Sequence, residues 1–436
     1  MTTQSFHAQW AWRGGEEAVA NVRITVSNGV IASVEDGVDA QSSDVRISGV
    51  VMPGFVNAHS HAFHRALRGR THGGSGDFWS WRTPMYEIAN RLTPETYGEL
   101  AAMTFAEMAL SGITGVGEFH YIHHQQDGTR YANPNEMGLA MVAASQRAGI
   151  RMALLDVAYL HAGLDKPEPL AEQKRFSDGT IDNWLDRVDA LGEGDITGEH
   201  GPGWTVGMAP HSVRAVHPNE LAEVVANRHG KVVHVHVSEQ PAENAACIAG
   251  TGRTPTQVLA DAGMLGRHFT AVHATHLTAS DIDLLGSSHS GVCMCPTTER
   301  DLADGVGPAS SLSASGAVLS LGTDSNAFID MFEETRAIET DERLVTGKRG
   351  LHTPSSLLAA ATSVGATSLG WGSHGIQVGN PADFIALSLD SVRLASFDGA
   401  NGAAHIVHSA APSDVRDVWV GGKQVVANFQ HAEIGD

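Results

Sequence analysis

The sequence predicts a (β/α)8 TIM barrel, an α/β fold in which eight parallel strands alternate with helices. Eight short runs rich in Val, Ile, Leu and Met have the length of strands, and most precede a stretch long enough for a helix. Each run ends in a polar cluster, at residues 57–61, 118–121, 156–159, 209–212, 234–239, 272–276, 295–299 and 322–325. Because active sites of such barrels lie at the carboxyl ends of the strands, these clusters predict one site there.

Both ends of the chain predict a second, smaller domain. Strand-like segments occupy residues 22–27, 30–34 and 45–48 at one end, and 383–387, 417–420 and 424–426 at the other. Neither set alone has enough strands for a stable sheet. We therefore expect residues 1–52 and 378–436 to form one composite β-sandwich beside a barrel of residues 53–377.

Composition limits the classes of function. The chain of 436 residues has a formal net charge of −21, and such acidity repels phosphate backbones, so we expect no nucleic-acid partner. No signal peptide begins the chain and no apolar run reaches about 18 residues, which predicts a cytoplasmic protein without a membrane partner. Three cysteines give no disulfide framework, and Cys293 and Cys295 could pack in the core or ligate a metal.

Two long connections follow predicted strands. One spans residues 161–203 and contains an amphipathic helix near residues 181–191, and the other spans residues 121–135. Long loops in a compact barrel are often lids or binding loops, but they can also be solvated decorations. Both interpretations stay open from the sequence alone.

Four polar residues at the strand ends predict a metal site. His59 and His61 close the first strand and point the same way, because side chains two apart on a strand share a face. His236 closes the fifth strand and Asp324 the eighth. Three imidazoles and one carboxylate suit Zn²⁺ or another divalent ion. No lysine ends a barrel strand to bridge two metals, so we expect one ion per chain.

Three residues near that site are candidate catalytic groups. Glu239 lies three residues after His236, close enough to the metal to shuttle protons, although it could simply stabilise a helix N-terminus. His273, at the end of the sixth strand, could stabilise a developing negative charge. Asp324 could take the proton of the attacking water. His234 and His276 are assigned to packing or to support of the ligands.

The motifs at the barrel entry and exit resemble the amidohydrolase superfamily across essentially the whole chain. They are residues 53–61 and 379–384. The metal residues together with Glu239 and His273 are similar to the branch of that superfamily that comprises mononuclear deaminases. The resemblance implies zinc-dependent hydrolysis and a composite β-sandwich.

Within this branch the chain resembles the formimidoylglutamate deiminases. The similar segments are residues 59–67, 81–82, 85–86, 118–124, 209–216 and 295–299. The resemblance implies hydrolysis of N-formimino-L-glutamate, a small dicarboxylate of histidine degradation, to N-formyl-L-glutamate and ammonia. It also implies substrate binding by Arg82, Tyr121, His211 and Arg214, and a homodimer is common among relatives. His64 stands where that family usually has Gln, so it contacts the substrate differently or shifts selectivity.

Two other functions remain open. A deaminase of a guanidine, pterin or nucleobase would use stacking aromatic residues, and the chain has Phe63, Trp79, Trp81 and Phe119. A non-catalytic relative would have lost metal ligands, whereas this chain keeps all of those named above. The sequence therefore favours an enzyme and leaves the choice of substrate to the pocket.

Overall fold

The computed structural model of the chain describes residues 3–71, 78–191 and 203–434, with the side chains of residues 78–80 excluded. Its strands form two eight-stranded sheets. In chain order they are β1 (Thr3–Ala11), β2 (Val19–Ser27), β3 (Val30–Glu35), β4 (Val45–Pro53), β5 (Phe55–Ser60), β6 (Ile113–His120), β7 (Arg151–Ala158), β8 (Trp204–Pro210), β9 (Val233–Val237), β10 (Phe269–His273), β11 (Gly291–Met294), β12 (Val318–Leu321), β13 (Phe384–Leu387), β14 (Val415–Val420), β15 (Lys423–Ala427) and β16 (Gln430–His431).

Most of the helices lie in the connections between the barrel strands, and the last four follow the final barrel strand. They are α1 (Phe78–Ala89), α2 (Pro94–Leu110), α3 (Glu136–Ala148), α4 (Ile181–Leu191), α5 (Pro218–Asn227), α6 (Pro241–Thr251), α7 (Pro255–Asp261), α8 (Ala279–Ser287), α9 (Pro296–Asp301), α10 (Ala309–Ser315), α11 (Met331–Thr346), α12 (Pro354–Ala360), α13 (Ser363–Ser368) and α14 (Gly402–Ser409). Short 3-10 helices cover Ala62–Leu67, Ala171–Phe176, Gly399–Asn401 and Pro412–Asp414. None of the helices in the described ranges has the length and apolar character that crossing a bilayer requires.

The first of the two sheets is the predicted barrel. Strands β5 to β12 pair in sequence order, and each neighbouring pair is parallel. A parallel bridge between Ser60 and Asp324 closes the ring. Strands β6 and β7 are buried at every position, as expected for parallel strands covered on both faces. The fold prediction is confirmed.

Local sequence signals define where many of the helices begin. Helices α2, α7 and α12 each start with a proline preceded by a threonine, and the threonine side chain accepts a hydrogen bond from a backbone N–H of the first turn. Proline lacks the N–H that would be unsatisfied at this position, so the pair both caps and starts the helix. The predicted amphipathic helix at residues 181–191 is confirmed as α4.

The second sheet joins the two ends of the chain, as the sequence predicts. Its order is β16-β15-β14-β13-β4-β1-β2-β3, and the antiparallel pair β4 and β13 connects the two parts. Phe6 from the first strand packs edge-on against Phe384 (5.2 Å between ring centroids) and Trp419 (5.5 Å) from the other end. Strand β1 was not predicted, although it lies inside this sheet between β4 and β2. The domain boundaries at residues 52 and 378 stay predictions.

A buried ion pair connects the two sheets. Arg151 begins β7 of the barrel, and its guanidinium donates to both carboxylate oxygens of Asp383, at 2.6 and 3.1 Å. The side chains are only 4% and 2% exposed. Asp383 also accepts a hydrogen bond from the Gly421 backbone N–H (2.7 Å). Because a buried charge is costly without its partner, this pair ties the accessory sheet to the barrel.

The cysteines follow the packing interpretation. Cys293 and Cys295 are buried and pack with Ala58 and Val272 in a small apolar cluster. All three cysteines of the chain are free and buried.

Candidate active site

The four predicted metal ligands converge at the carboxyl end of the barrel. The ligand atoms of His59, His61, His236 and Asp324 all lie within 4.8 Å of one another, and all four residues are buried. Asp324 Oδ1 is 3.3 Å from Nε2 of both His59 and His61. The Nε2 atoms of His59 and His236 are 3.2 Å apart. These atoms therefore face one common point, and we refer to the four residues as the metal cluster.

Hydrogen bonds to the backbone fix the orientation of two of the imidazoles. His61 Nδ1 lies 2.9 Å from the Phe119 carbonyl, and His236 Nδ1 lies 3.0 Å from the His211 carbonyl. A carbonyl only accepts, so each Nδ1 carries the proton and each Nε2 keeps a free lone pair toward the cluster. Three imidazole nitrogens and a carboxylate without a proton between them fit a divalent ion, and they suit Zn²⁺.

Protonation states in the cluster also favour an ion. Burial lowers the pKa of His59, His61 and His236, so these imidazoles are neutral at pH 7. Burial alone raises the pKa of Asp324, but hydrogen bonding and charge interactions with the neighbouring imidazoles hold it well below its usual value. Neutral imidazoles and an ionised carboxylate are the forms that bind metals.

The closure of the barrel positions Asp324. Its backbone N–H donates to the His59 carbonyl (3.0 Å), and the His61 N–H donates to the Asp324 carbonyl (2.9 Å). Glycine is required at 322 because a Cβ atom there would lie 2.7 Å from the His59 carbonyl oxygen. The first and eighth strands can therefore approach closely enough to place their ligands together.

Three residues at the strand ends adopt positive φ angles that are uncommon outside glycine. They are Ser238 (53°), His273 (67°) and Asp324 (42°), which follow or end β9, β10 and β12. The surrounding hydrogen bonds hold the backbone in this sparsely populated region, as occurs at functional sites. The sequence carries no signal for these conformations, since none of the three residues is a glycine.

Glu239 and His273 lie beside the metal cluster, as the sequence predicts. His273 Nε2 is 3.8 Å from both Glu239 Oε1 and Asp324 Oδ2. Burial alone lowers the pKa of His273, but the carboxylates raise it well above its usual value, so the ring is an imidazolium at pH 7. Burial raises the pKa of Glu239, and the charge of His273 partly opposes this. A carboxyl group with a raised pKa is suited to proton transfer.

Glu299 supports His273, a role that sequence reasoning did not assign. Its Oε1 lies 3.4 Å from His273 Nδ1 and accepts a hydrogen bond from the Cys295 backbone N–H (2.9 Å). The residue is 4% exposed. The sequence did contain a signal for this role, because Glu299 belongs to the polar cluster after the seventh strand. All of these clusters lie at the same end of the barrel.

A cavity next to the metal cluster contains all five predicted substrate-binding residues. It is lined by His61, His64, Trp81, Arg82, Met85, Tyr86, Tyr121, Tyr159, Phe176, His211, Arg214, His236, Glu239, His273, Leu302 and Asp324. We refer to it as the inner cavity. His64 and Tyr121 contact each other there, with His64 Nε2 2.9 Å from the Tyr121 hydroxyl. Burial lowers the pKa of His64 to about 3, so this side chain enters the cavity as a neutral ring.

Arg82 and Arg214 meet at Tyr159, on the side of the inner cavity formed by the end of β7. Arg214 Nη1 donates to the Tyr159 hydroxyl oxygen (2.9 Å) and to the Ala162 carbonyl (3.4 Å). Arg82 Nη2 donates to the same hydroxyl (3.3 Å). Within the described ranges no carboxylate lies at ion-pair distance from Arg214. A half-buried guanidinium that is not held in such an ion pair can bind an anionic group of a ligand.

An outer cavity of about 1110 Å³ adjoins the inner one and shares Arg82, Tyr86 and Arg214 with it. Residues 162–166, from the long connection after β7, form part of its wall. This wall position favours the binding-loop interpretation of that connection over decoration. Residues 192–202 of the same connection lie outside the described ranges.

A second group of potential ligands, His161, His217 and Glu220, lies near the outer cavity and is half-buried. The two imidazole rings stack nearly parallel, with centroids 3.8 Å apart and 13° between planes. An imidazole binds a metal through a lone pair that lies in the plane of the ring. An ion in the plane of one of these stacked rings would lie out of the plane of the other, so both rings could not bind it. His161 Nε2 instead lies 2.8 Å from a carboxylate oxygen of Glu220, so this contact joins the connection after β7 to α5.

The aromatic residues that would favour a ring substrate are mostly used in packing. Phe119 packs on His59 and His236 (centroids 5.0 and 4.4 Å), and Phe63 is 1% exposed. Trp81 does line the inner cavity. The side chain of Trp79 lies outside the described part of the chain.

Comparisons with known proteins agree with this geometry. A model of the amidohydrolase family matches residues 50–425. A formimidoylglutamate deiminase of Pseudomonas aeruginosa is 35% identical over 424 residues, covering 94% of this chain and 92% of that protein. A 5-methylthioadenosine/S-adenosylhomocysteine deaminase of Pelotomaculum thermopropionicum is 30% identical over 427 residues, covering 96% and 90%.

Solved structures are similar over nearly the whole length. An amidohydrolase from Brucella melitensis superposes with a TM-score of 0.91 at 34% identity, covering 98% of this chain and 96% of that one. An adenosine deaminase from Xanthomonas campestris with bound zinc gives 0.84 at 25% identity, covering 99% and 94%. Together with the matched family model and the residues that converge at the strand ends, these similarities show that the chain belongs to the amidohydrolase family of metal-dependent hydrolases.

Proposed function

We propose that the chain hydrolyses N-formimino-L-glutamate to N-formyl-L-glutamate and ammonia. The observation that carries the proposal is the arginine pair. Arg82 and Arg214 both donate to the Tyr159 hydroxyl and line the inner cavity, and His61, His236 and Asp324 of the metal cluster line the same cavity. A substrate with carboxylates at one end and a C–N bond to hydrolyse at the other matches this polarity. The similarity to a formimidoylglutamate deiminase supports the same substrate.

The proposed binding mode uses charge-assisted hydrogen bonds. The forks of Arg82 and Arg214 can grip carboxylate oxygens in pairs, and Tyr121 can add a hydroxyl donor. Burial lowers the pKa of His211 well below its usual value, so His211 is a neutral partner for the substrate. The neutral His64 ring adjoins His61 (centroids 4.6 Å apart), where it contacts the formimino end of the substrate.

The proposed chemistry assigns proton transfers to two side chains and charge stabilisation to a third. His59, His61, His236 and Asp324 would hold one divalent ion, which we propose is Zn²⁺, and the ion would make hydroxide available at neutral pH by lowering the pKa of a bound water. Asp324 holds the proton of the attacking water. Glu239 delivers a proton to the terminal nitrogen of the formimino group, which leaves as ammonia. His273 stabilises the negative charge that develops on the oxygen of the tetrahedral intermediate.

A ring deaminase is the second candidate. Trp81 lines the inner cavity and could stack on a flat substrate, and one similar protein is a deaminase of 5-methylthioadenosine and S-adenosylhomocysteine. Two arginines at one end of the inner cavity would have no partner on a neutral purine. The arginine pair therefore favours the dicarboxylate.

An ammonia-release assay tests the proposal. Zinc-loaded protein would be given N-formimino-L-glutamate, N-formimino-L-aspartate, 5-methylthioadenosine, guanine and cytosine. We expect the highest kcat/KM for N-formimino-L-glutamate. A faster purine or pyrimidine substrate would replace this function with ring deamination. The cytoplasmic location and the homodimer stay predictions that need separate measurements.

A further inference from the structure

Tyr159 is surrounded by hydrogen-bond donors that all point at one atom. Its hydroxyl oxygen accepts from Arg214 Nη1 (2.9 Å), Gln173 Nε2 (3.0 Å) and Arg82 Nη2 (3.3 Å). The residue follows β7 and is 3% exposed. The donors come from α1, from the 3-10 helix at Ala171–Phe176 and from the segment after β8. Four separate parts of the chain therefore meet at this oxygen.

This arrangement solves an electrostatic problem. Two guanidinium groups repel each other, and the cost of bringing them together increases when they are removed from water. A shared acceptor oxygen between them offsets part of that repulsion. Burial alone raises the pKa of Tyr159, but Arg214 and Arg82 outweigh it and lower the pKa below its usual value. The hydroxyl therefore carries more negative character than an ordinary tyrosine.

Gln173 fixes the position of the Tyr159 hydroxyl from the opposite side. Its amide nitrogen donates to the hydroxyls of both Tyr159 (3.0 Å) and Tyr86 (2.9 Å). Gln173 is fully buried, and its amide oxygen accepts from the Leu170 backbone N–H (2.9 Å). A hydroxyl held in this way has little freedom to move. The positions of the two guanidinium groups are therefore set by the hydroxyl, and not the reverse.

We propose that Tyr159 is a specificity-determining residue that positions Arg82 and Arg214 as one carboxylate-binding unit. The hydroxyl oxygen keeps both guanidinium groups at the same end of the inner cavity, so that a single substrate carboxylate is bound by both. This role rests on the proposed function, because it concerns the dicarboxylate selectivity of that site. Tyr159 does not touch the reacting carbon and takes no part in proton transfer.

Tyr159→Phe tests this role, because phenylalanine keeps the ring and removes only the shared oxygen. The substrates are N-formimino-L-glutamate and its two analogues with one carboxylate each, N-formimino-4-aminobutyrate and N-formimino-2-aminobutyrate. For the dicarboxylate, kcat/KM should fall about 10- to 100-fold, mainly through KM, as expected for weakened hydrogen bonds to a charged group. One analogue, which lacks the carboxylate bound by the pair, should change less than about 3-fold. Its identity reveals which carboxylate the pair binds.

Two controls make the result specific. Tyr86→Phe removes the neighbouring hydroxyl that shares Gln173 and keeps the ring over which Arg82 lies, so it should raise KM less than Tyr159→Phe does. Metal content and thermal unfolding of both variants should match the wild type. Loss of activity with all three substrates in equal proportion, through kcat or through loss of metal, would overturn the positioning role.

The outcomes separate the two proposals. If the wild type releases no ammonia from N-formimino-L-glutamate, the proposed function fails whatever Tyr159 does. If the wild type does so and Tyr159→Phe keeps the KM and the preference for the dicarboxylate, only the inference about Tyr159 fails.

Discussion

Arg214→Met is the substitution that most directly perturbs the proposed substrate recognition. The guanidinium is half-buried, and it donates only to a hydroxyl and to a backbone carbonyl within the described part of the chain. Methionine has a similar length and no charge, so the change removes the carboxylate partner and retains most of the packing. Losing a charge-assisted fork in a desolvated pocket costs about 2–4 kcal/mol of transition-state binding. At about 1.4 kcal/mol per decade, this corresponds to about 30- to 1000-fold in kcat/KM.

The assay is steady-state ammonia release from N-formimino-L-glutamate with zinc-loaded protein. Arg253→Met is the matched control, because Arg253 forms an exposed ion pair with Asp261 and lines neither cavity. Its kinetics should equal those of the wild type. Arg214→Met should unfold at about the same temperature as the wild type, since methionine keeps most of the packing of the side chain. Unchanged kcat/KM in a variant that binds metal normally would refute the role of Arg214.

Three further predictions concern the metal, the proton relay and the link between the sheets. Protein purified without chelator should contain about one equivalent of Zn²⁺, and two tightly bound equivalents, or none after zinc supplementation, would contradict a single site. Glu239→Gln should lower kcat about 100-fold or more while metal content is retained, and a near-normal kcat in this variant would rule out the proton relay. Asp383→Asn should lower the free energy of unfolding in urea at pH 7 by about 3–5 kcal/mol, against less than about 1 kcal/mol for the exposed control Glu99→Gln. Burial alone raises the pKa of Asp383, but Arg151 lowers it below 3.8, so the ion pair stabilises the fold fully above pH 3.8. The difference in unfolding free energy between the wild type and Asp383→Asn should therefore shrink as the pH falls further. A difference that is small at pH 7 or independent of pH would contradict the buried pair.

The convergence of the four candidate metal ligands could be predicted from the sequence because their placement follows from local rules. His59 and His61 share a face because strand side chains alternate, and both lie at the active end of the barrel because that end is the carboxyl end of every strand. The rule that the active end is the carboxyl end of every strand also located His236, Asp324 and the candidate proton relay Glu239. No long-range contact had to be known, only the number and direction of the strands.

Other features depend on contacts that the sequence does not encode locally. Tyr159 ended a predicted strand, but its meeting with Arg82 and Arg214 joins residues 77 and 55 positions apart. The strained backbone at His273 is produced by tertiary contacts and not by a glycine. Strand β1 was missed because small residues interrupt its alternation of apolar and polar side chains. It is recognised as a strand by its pairing with the two neighbouring strands β4 and β2.

Product analysis in H₂¹⁸O tests the central claim, hydrolytic deimination at the formimino carbon, most directly. After water adds to that carbon, either ammonia or the glutamate amine could leave. Because Glu239 is assigned to protonate the terminal nitrogen, we predict equimolar ammonia and N-formyl-L-glutamate, with one ¹⁸O in the formyl group by mass spectrometry. Formamide and glutamate as the products, or N-formyl-L-glutamate without the label, would contradict the proposed reaction.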